Sequence, residues 1–208
     1  MTPPLIGLTG YSGSGKDSVA RLLAERFRVA RLAFADELKR EVAAAWNVDV
    51  SLFHHAGLKE VRLHQLALAR CTHVEFAARH WHLAQLDALK PRTVMQAWGD
   101  WVNEIDPGRY VRVVDAQWRE VAATEPQAVI VTDVRSDREY SWLQHHGGAL
   151  WRVVRPGQRQ PSGHATEWHQ RYWRVDAEIV NDGSTEQLAK VASDLLLELI
   201  LPAELRDG

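Results

Sequence analysis

The sequence of 208 residues has little of several features that mark specialised protein classes. Cys71 is its only cysteine, so no intrachain disulfide can form and a reducing cytoplasm is the expected location. No uninterrupted apolar run approaches the roughly 20 residues needed to span a membrane, and no basic segment precedes the first apolar residues, so neither a membrane anchor nor a signal peptide is expected. Because the formal net charge is only -2, no overall attraction to nucleic acid is expected either.

Short apolar segments alternate with amphipathic ones along the chain, without an internal repeat, a low-complexity tract or a linker. The segments with the composition of buried strands are 3–10, 29–34, 127–135, 149–157 and 177–183. Helical periodicity follows Lys16 and recurs over 35–46, 92–105, 109–123, 136–143 and 184–200, and residues 51–90 are predicted to be almost wholly helical. Ser184 or Thr185 is positioned to cap the last helix. The alternation predicts a single α/β domain, residues 1–208, with a parallel sheet and right-handed crossovers.

The stretch GLTGYSGSGKDS resembles a phosphate-binding loop, because Gly10, Gly15 and Lys16 fit the spacing G-x-x-x-x-G-K between a predicted strand and a predicted helix. Glycines let consecutive backbone N–H groups turn toward phosphate oxygens, and the lysine reaches the β- and γ-phosphates. The next position is Asp17 instead of Ser or Thr, with Ser18 one step later. Either Asp17 ligates Mg²⁺, or it only caps the helix and Ser18 or water serves the metal.

Two further motifs follow predicted strands. VIVTDVR puts Asp133 and Arg135 at the carboxyl end of a strand, where open parallel sheets bind ligands. Asp133 is a candidate for holding Mg²⁺ or orienting a substrate, and Arg135 for gripping a phosphate; a surface ion pair is the alternative. The turn VNDGS, with Asn181 and Gly183, is a weaker signal for backbone facing a nucleotide base. The histidines between 54 and 82 match no zinc motif.

Seven stretches in order make the sequence resemble the deoxynucleoside monophosphate kinases of tailed bacteriophages. They are GYSGSGKDS, LAFADELK, RTVMQAWGDWVNEIDPGRYVR, VIVTDVRSDRE, GGALWRVVRPGQ, HATE and AEIVNDGSTEQL. In that family the phosphate loop also has Asp after the Lys, so Asp17 is typical of the family. The resemblance covers roughly residues 5–50 and 90–195 and is thin between about 51 and 89.

The resemblance implies Mg²⁺-dependent phosphoryl transfer from ATP to a deoxynucleoside monophosphate. It implies a three-layer P-loop kinase fold with a central, mostly five-stranded parallel sheet. A helical monophosphate-binding region, 36–105, and a lid, 156–175, are expected within the domain, with small-molecule substrates, no nucleic acid or membrane partner, and a homodimer as a reasonable assembly. The lid segment carries several arginines that would close over the phosphates; a solvated loop is the alternative.

The candidate residues combine the motifs with the resemblance. The catalytic candidates are Lys16, Arg92, Asp133 and Arg135. The ATP-binding candidates are Gly10, Gly13, Ser14, Gly15, Lys16, Asp17, Ser18, Arg155, Asn181 and Gly183. The acceptor-binding candidates are Asp36, Lys39, Arg92, Gln96, Gly99, Asp100, Arg135 and Glu167, and the metal candidates are Asp17, Ser18 and Asp133. Within HATE, the resemblance also marks His164 and Thr166 without separate roles.

Other readings stay open at this point. Trp98 and Trp101 either border the base or belong to a helix core, and Lys59 and Arg62 are either acceptor-side charges or a solvated helix face. A dephospho-CoA kinase, which phosphorylates a ribose hydroxyl, and a nucleotide-binding regulatory module without turnover are the alternative functions. The segments RTVMQAWG and HATE favour the deoxynucleoside monophosphate kinase over the former, and the second set of phosphate-gripping residues favours it over the latter.

Overall fold

The computed structural model describes residues 2–157 and 170–201, apart from the side chain of Arg171. The chain divides into two compact units. The first comprises Met1–Phe34 and Val114–Gly208, and the second comprises Ala35–Val113. The predicted monophosphate-binding region, 36–105, falls within the second unit.

A parallel sheet of five strands forms the centre of the first unit, in the order β2-β3-β1-β4-β5. The strands are β1 (Leu5–Thr9), β2 (Val29–Leu32), β3 (Ala128–Val131), β4 (Ala149–Val154) and β5 (Ala177–Val180). The α-helices of the described residues are α1 (Lys16–Arg26), α2 (Phe34–Trp46), α3 (Ser51–His54), α4 (Val74–Arg79), α5 (Pro91–Ile105), α6 (Arg109–Ala122), α7 (Asp137–His145) and α8 (Thr185–Ile200). All five predicted strands are therefore present, which confirms the α/β class.

Helices cover both faces of the sheet. In β1, Ile6 and Leu8 point to one face, where they join a buried cluster with side chains of α1 and α8. Gly7 points to the other face, where an added Cβ would lie 2.5 Å from Leu143 of α7. A side chain at that position would push α7 off the sheet, so the glycine allows close packing of helix on strand. The result is the predicted three-layer arrangement.

The second unit departs from the prediction for residues 51–90, which are not almost wholly helical. They contain the short helices α3 and α4 together with single 3₁₀ turns at Ala56–Leu58, His64–Leu66, Leu68–Arg70 and Trp81–Leu83. Leu66 and Leu68 are both buried although they are two positions apart. Successive 3₁₀ turns, and not one continuous α-helix, carry these two side chains into the core of the second unit.

A smaller correction concerns the second strand, which was predicted over 29–34. The strand ends at Leu32, and α2 begins at Phe34. The backbone N–H of Phe34 donates to the Asp133 carboxylate at 2.8 Å, so a side chain from the end of β3 satisfies a free N–H in the first turn of α2. The predicted cap of the last helix is confirmed: Ser184 and Gln187 form a reciprocal capping box.

Candidate active site

The glycines of the phosphate loop have backbone conformations that side chains disfavour. The loop joins β1 to α1 directly, and Gly10, Gly13 and Gly15 have φ angles of 136°, 82° and 110°. A Cβ at Gly10 would overlap the carbonyl oxygen of Val153, and one at Gly15 would overlap the side-chain amide of Asn181. The chain can therefore make this tight turn between strand and helix only with glycine at these two positions.

Ser14 and Lys16 supply the polar groups inside the loop. Both are buried, at 1% and 7% exposure. The Ser14 hydroxyl oxygen has no hydrogen-bond partner among the described residues. Lys16 Nζ donates to the carbonyl oxygens of Gly10 and Tyr11, at 2.7 and 2.9 Å. An unsatisfied buried hydroxyl beside a buried cation fits an anionic ligand with several acceptor oxygens.

The two metal candidates at the start of α1 differ in exposure. Asp17 is exposed in the first turn of the helix, and Ser18 is partly buried. Among the described residues no group of three or more His, Cys, Asp or Glu side chains is arranged to hold a metal ion. Mg²⁺ in phosphoryl-transfer sites needs fewer protein ligands, because it usually keeps waters and binds phosphate oxygens together with one or two carboxylates.

Asp133 lies at the carboxyl edge of the sheet, next to the strand that leads into the phosphate loop. β3 pairs with β1, and the N–H of Val134 donates to the carbonyl oxygen of Leu8 at 3.0 Å. The Asp133 side chain is 8% exposed and accepts the hydrogen bond from Phe34. A buried carboxylate at the edge where parallel sheets bind ligands has the location that a catalytic site requires.

The segment after β3 is held by a carboxylate that the sequence analysis missed. Glu139 Oε2 accepts the backbone N–H groups of Arg135 and Ser136, at 2.6 and 2.8 Å. Burial, and next the negative charge of Asp133, raise the pKa of Glu139 to about 7. The sequence signal is Ser136-x-x-Glu139, a capping box that opens α7. Arg135 itself is exposed.

The turn after β5 contacts the phosphate loop through a side chain. Asn181 Nδ2 donates to the carbonyl oxygen of Ser14 at 2.8 Å, and the Asn181 N–H donates to that of Val154 at 2.7 Å. Asn181 therefore ties the end of β4 to the loop. Arg155, which follows Val154, is exposed, and Gly183 lies against Gln187 of the α8 capping box.

Most of the predicted lid lies outside the described residues, including Arg159, His164, Thr166 and Glu167. Its far end is attached to the carboxyl edge of the sheet. Gln170 is buried, accepts from the Thr9 hydroxyl at 3.1 Å, and accepts through its carbonyl from Arg152 at 2.6 Å. Trp173 stacks on Tyr140 with ring centres 5.0 Å apart. The predicted lid thus returns to the sheet directly beside the last residue of β1.

In the second unit, α2 carries one group of predicted acceptor residues. Lys39 Nζ donates to Asp36 Oδ1 at 2.7 Å and lies 3.4 Å from His54 Nδ1. α2 and α5 approach closely, since a Cβ at Gly99 would lie 2.9 Å from Leu38 of α2. The glycine in the middle of α5 therefore permits close helix packing.

The other acceptor candidates of the second unit lie on α5. Gln96 and Asp100 are exposed, while Arg92 near the start of the helix pairs with Glu60. Trp98 and Trp101 are buried, at 4% and 8% exposure, within the core of the second unit. Burial of both indole rings favours the helix-core reading over contact with a base.

A partly buried carboxylate links three elements of the second unit. Glu41 of α2 accepts from the Trp98 indole N–H and from the Tyr110 hydroxyl, each at 2.9 Å, and from Arg109 Nε at 2.6 Å. Burial and the charge of Glu41 raise the pKa of Tyr110 well above its ordinary value. This network joins α2, α5 and α6, and with them the two groups of acceptor candidates.

Three of the histidines between 54 and 82, His64, His73 and His80, serve local structure. His73 accepts from the Phe76 N–H at 3.4 Å as the cap of α4, and His80 stacks on Phe76 with ring centres 4.1 Å apart. His64 Nδ1 lies 3.1 Å from the Asp87 carbonyl oxygen.

Across the described residues, no helix combines the length and apolarity that crossing a lipid bilayer requires.

Known proteins similar to this chain fall into one group by sequence. Residues 54–191 match the sequence profile described as Deoxynucleotide monophosphate kinase. A "Putative deoxynucleotide monophosphate kinase" of Acanthamoeba polyphaga mimivirus is 26% identical over 194 residues, covering 88% of this chain and 91% of that protein. The "Deoxynucleotide monophosphate kinase" of Enterobacteria phage T4 is 33% identical over 104 residues, covering 49% of this chain and 43% of the phage protein.

A solved structure agrees on the fold. The dephospho-CoA kinase from Campylobacter jejuni superposes with a TM-score of 0.50 at 9% identity, covering 96% of this chain and 99% of that one. At this identity the likeness concerns the fold alone. The sequence profile spans well over half of the chain and is the basis for the assignment: the chain belongs to the deoxynucleotide monophosphate kinase family.

Proposed function

We propose that this protein transfers the γ-phosphoryl group of ATP to the phosphate of a deoxynucleoside monophosphate, giving the deoxynucleoside diphosphate and ADP, with Mg²⁺. An oxygen of the monophosphate attacks the γ-phosphorus, and the bond from that phosphorus to the β–γ bridging oxygen breaks. The observation that carries the proposal is the phosphate loop, with its unsatisfied Ser14 hydroxyl and its buried Lys16, beside Asp133 at the carboxyl edge of the sheet.

The phosphate loop fits ATP chemically. The backbone N–H groups of residues 13–16 and the N-terminus of α1 favour the negative charge of the phosphates. Lys16 exchanges its two loop carbonyl partners for phosphate oxygens, and the Ser14 hydroxyl gains the acceptor that it lacks. Asn181 keeps the loop in shape from outside through its bond to the Ser14 carbonyl. Arg155 and Gly183 border the ATP side in this proposal.

Asp17, Ser18 and Asp133 are the side chains proposed to hold Mg²⁺, whose charge neutralises the phosphates during transfer. Asp133 already accepts one hydrogen bond on Oδ1, so it holds the metal best through water. Asp17→Asn and Ser18→Ala variants, titrated with Mg²⁺, separate the candidates at the start of α1. We expect the half-saturating Mg²⁺ concentration to rise only for the variant that loses the metal ligand. If neither variant shifts it, the metal is held elsewhere, and Asp133 is the next candidate.

The acceptor is proposed to bind residues of the second unit, and Arg135 of the first unit is proposed as a separate acceptor-binding candidate. Arg92 and Lys39 attract the phosphate of the monophosphate, and Asp36 contacts its sugar or base. Gln96, Gly99 and Asp100 form walls of the acceptor pocket in this proposal. Phosphoryl transfer depends mainly on positioning and on stabilising the charge that spreads over the transferred group. The guanidinium of Arg135 is proposed to act on that charge, because its planar fork matches phosphate oxygens.

Closure of residues 156–175 is proposed to exclude water, so that ATP is not hydrolysed in the absence of an acceptor. Glu167 belongs to this segment and is proposed to contact the acceptor. The resemblance also supports a homodimer, and the single, half-buried Cys71 supports a reducing cytoplasm as the working location.

An ADP-release assay tests the reaction. The protein is incubated with ATP, Mg²⁺ and, separately, each deoxynucleoside monophosphate or dephospho-CoA. We expect at least one monophosphate to raise ADP formation far above the rate with ATP alone. If none does, the proposed reaction is wrong, and stimulation by dephospho-CoA alone would assign the chain to the other kinase class.

Two lysine variants test the role of the loop. Lys16→Ala should lower kcat by about 100-fold, since it removes one cation from the transferred phosphates. Lys190→Ala is the matched control, because Lys190 is exposed on α8 and, among the described residues, forms an ion pair only with Asp194 of the same helix. Full activity of Lys16→Ala would remove the phosphate loop from the mechanism.

A further inference from the structure

Two segments of the second unit, 59–63 and 89–92, lie side by side. The Leu63 N–H donates to the Leu89 carbonyl at 2.9 Å, and the Arg92 N–H donates to the carbonyl of the first residue of segment 59–63 at 3.2 Å. Leu89 is buried, at 2% exposure. The backbone and the core thus fix which side chains of the two segments meet.

The side chains that meet are two cations and one carboxylate. Glu60 Oε2 accepts from Lys90 Nζ at 3.0 Å, and Glu60 Oε1 accepts from Arg92 Nε. The hydrogen bond from Lys90, and next that from Arg92, lower the pKa of the Glu60 carboxyl. Lys90 and Arg92 therefore converge on the same anion, although they lie in segment 89–92 and Glu60 lies in segment 59–63.

Positive charge is in excess at this point. The paired segments contain four cationic side chains, Lys59, Arg62, Lys90 and Arg92, against the single carboxylate of Glu60, in a chain with a net charge of -2. α5 begins here and is 15 residues long, and its N-cap residue, Lys90, makes no side-chain cap hydrogen bond. The partial positive charge of the helix N-terminus adds to that of the side chains.

We propose that Lys90, together with Arg92, binds the phosphate of the monophosphate. In this proposal the Glu60 carboxylate pairs with both cations until the phosphate displaces it. This inference rests on the proposed function, in which Arg92 binds that phosphate. A monophosphate carries close to two negative charges and three acceptor oxygens, so it makes more charge-assisted hydrogen bonds with the pair than one exposed carboxylate does. The exchange leaves Glu60 in water, where its side chain is already 57% exposed.

Substitutions of the two partners should change monophosphate affinity in opposite directions. Lys90→Met, which keeps the aliphatic stem, should raise the Kd and the KM for the monophosphate about tenfold, the value of one charge-assisted hydrogen bond. Glu60→Gln should lower both about twofold to fivefold, the strength of an exposed ion pair. The KM for ATP should stay the same in both variants. The Kd is measured by calorimetry without ATP, so it does not depend on turnover.

A second ion pair of the same unit supplies the matched control. Arg79 and Glu104 form an exposed pair, and we expect Arg79→Met and Glu104→Gln to leave the monophosphate Kd unchanged. A Glu60→Gln variant that binds the monophosphate more weakly would mean that Glu60 orients Arg92, which overturns the displacement proposal. If the wild type turns over the monophosphate and Lys90→Met has an unchanged monophosphate Kd and KM, the inference is overturned and the proposed function stands. Absence of monophosphate turnover by the wild type overturns the proposed function and the inference with it.

Discussion

Replacing Glu139 by glutamine tests whether the raised pKa of this carboxyl makes the stability of the fold depend on pH. Both backbone N–H groups that bind this side chain, from Arg135 and Ser136, donate to the same oxygen, Oε2. The amide oxygen of glutamine can accept both hydrogen bonds. The substitution therefore keeps the contacts of the capping box and removes only the group that ionises.

The expected magnitude follows from the pKa of Glu139, which rises from 4.5 to about 7 because the side chain is desolvated and lies near the negative charge of Asp133. A raised pKa means that the folded state favours the protonated acid. The wild type then has its full stability below pH 4.5 and loses stability as the pH rises through 7. Linkage between these two values gives a loss of about 2 to 3 kcal/mol between pH 5 and pH 8. Glu139→Gln is not subject to this loss.

Urea unfolding at pH 5, 6, 7 and 8 and constant ionic strength measures the effect. The stability of Glu139→Gln relative to the wild type should increase by about 2 to 3 kcal/mol from pH 5 to pH 8, most of it below pH 7. Glu186→Gln is the control, because it removes an exposed carboxylate from the first turn of α8; its effect should be equal at pH 6 and pH 8. A difference between Glu139→Gln and wild type that is the same at every pH would refute the argument.

Two further substitutions test the shape of the loop and the core of the second unit by urea unfolding at pH 7. Gly15→Ala should lower the free energy of unfolding by about 2 kcal/mol, because the φ of Gly15 is 110° and an added Cβ would overlap the Asn181 amide. Adding Asn181→Ala to this variant should recover only the part of the loss that is due to the overlap. A Gly15→Ala variant as stable as the wild type would contradict the loop geometry. Glu41→Ala should cost about 3 kcal/mol, because the Trp98 indole N–H and the Tyr110 hydroxyl lose their acceptor, and a cost below about 1 kcal/mol would mean that water replaces the carboxylate.

The phosphate loop and the frame around it were predictable from the sequence, because their signals are local. The spacing of Gly10, Gly15 and Lys16 between an apolar segment and a helical period predicts strand, loop and helix without any distant residue. β3 was equally clear, since the unbroken apolar run Ala128–Val131 matches a strand covered on both faces. The cap of α8 was readable from Ser184 and the residues just after it.

The prediction of an almost wholly helical segment over residues 51–90 was wrong, because composition carries no information about which neighbours surround a segment. Their leucines and alanines have high helix propensity. The core of the second unit nevertheless needs Phe53, Leu66 and Phe76 to enter separately, and short turns achieve this where a continuous helix cannot.

Alone, the sequence determined that a phosphate loop precedes a helix and that Asp133 follows a strand, because each of these facts depends on residues adjacent in the chain. Only the tertiary structure decided the partners: that Asn181 holds the loop from outside, that Glu139 lies near Asp133, and that Lys90 meets Glu60. Such contacts form where separate segments of the chain approach. That approach is set by how the strands order in the sheet and how each core fills, and neither is encoded in the spacing of a single motif.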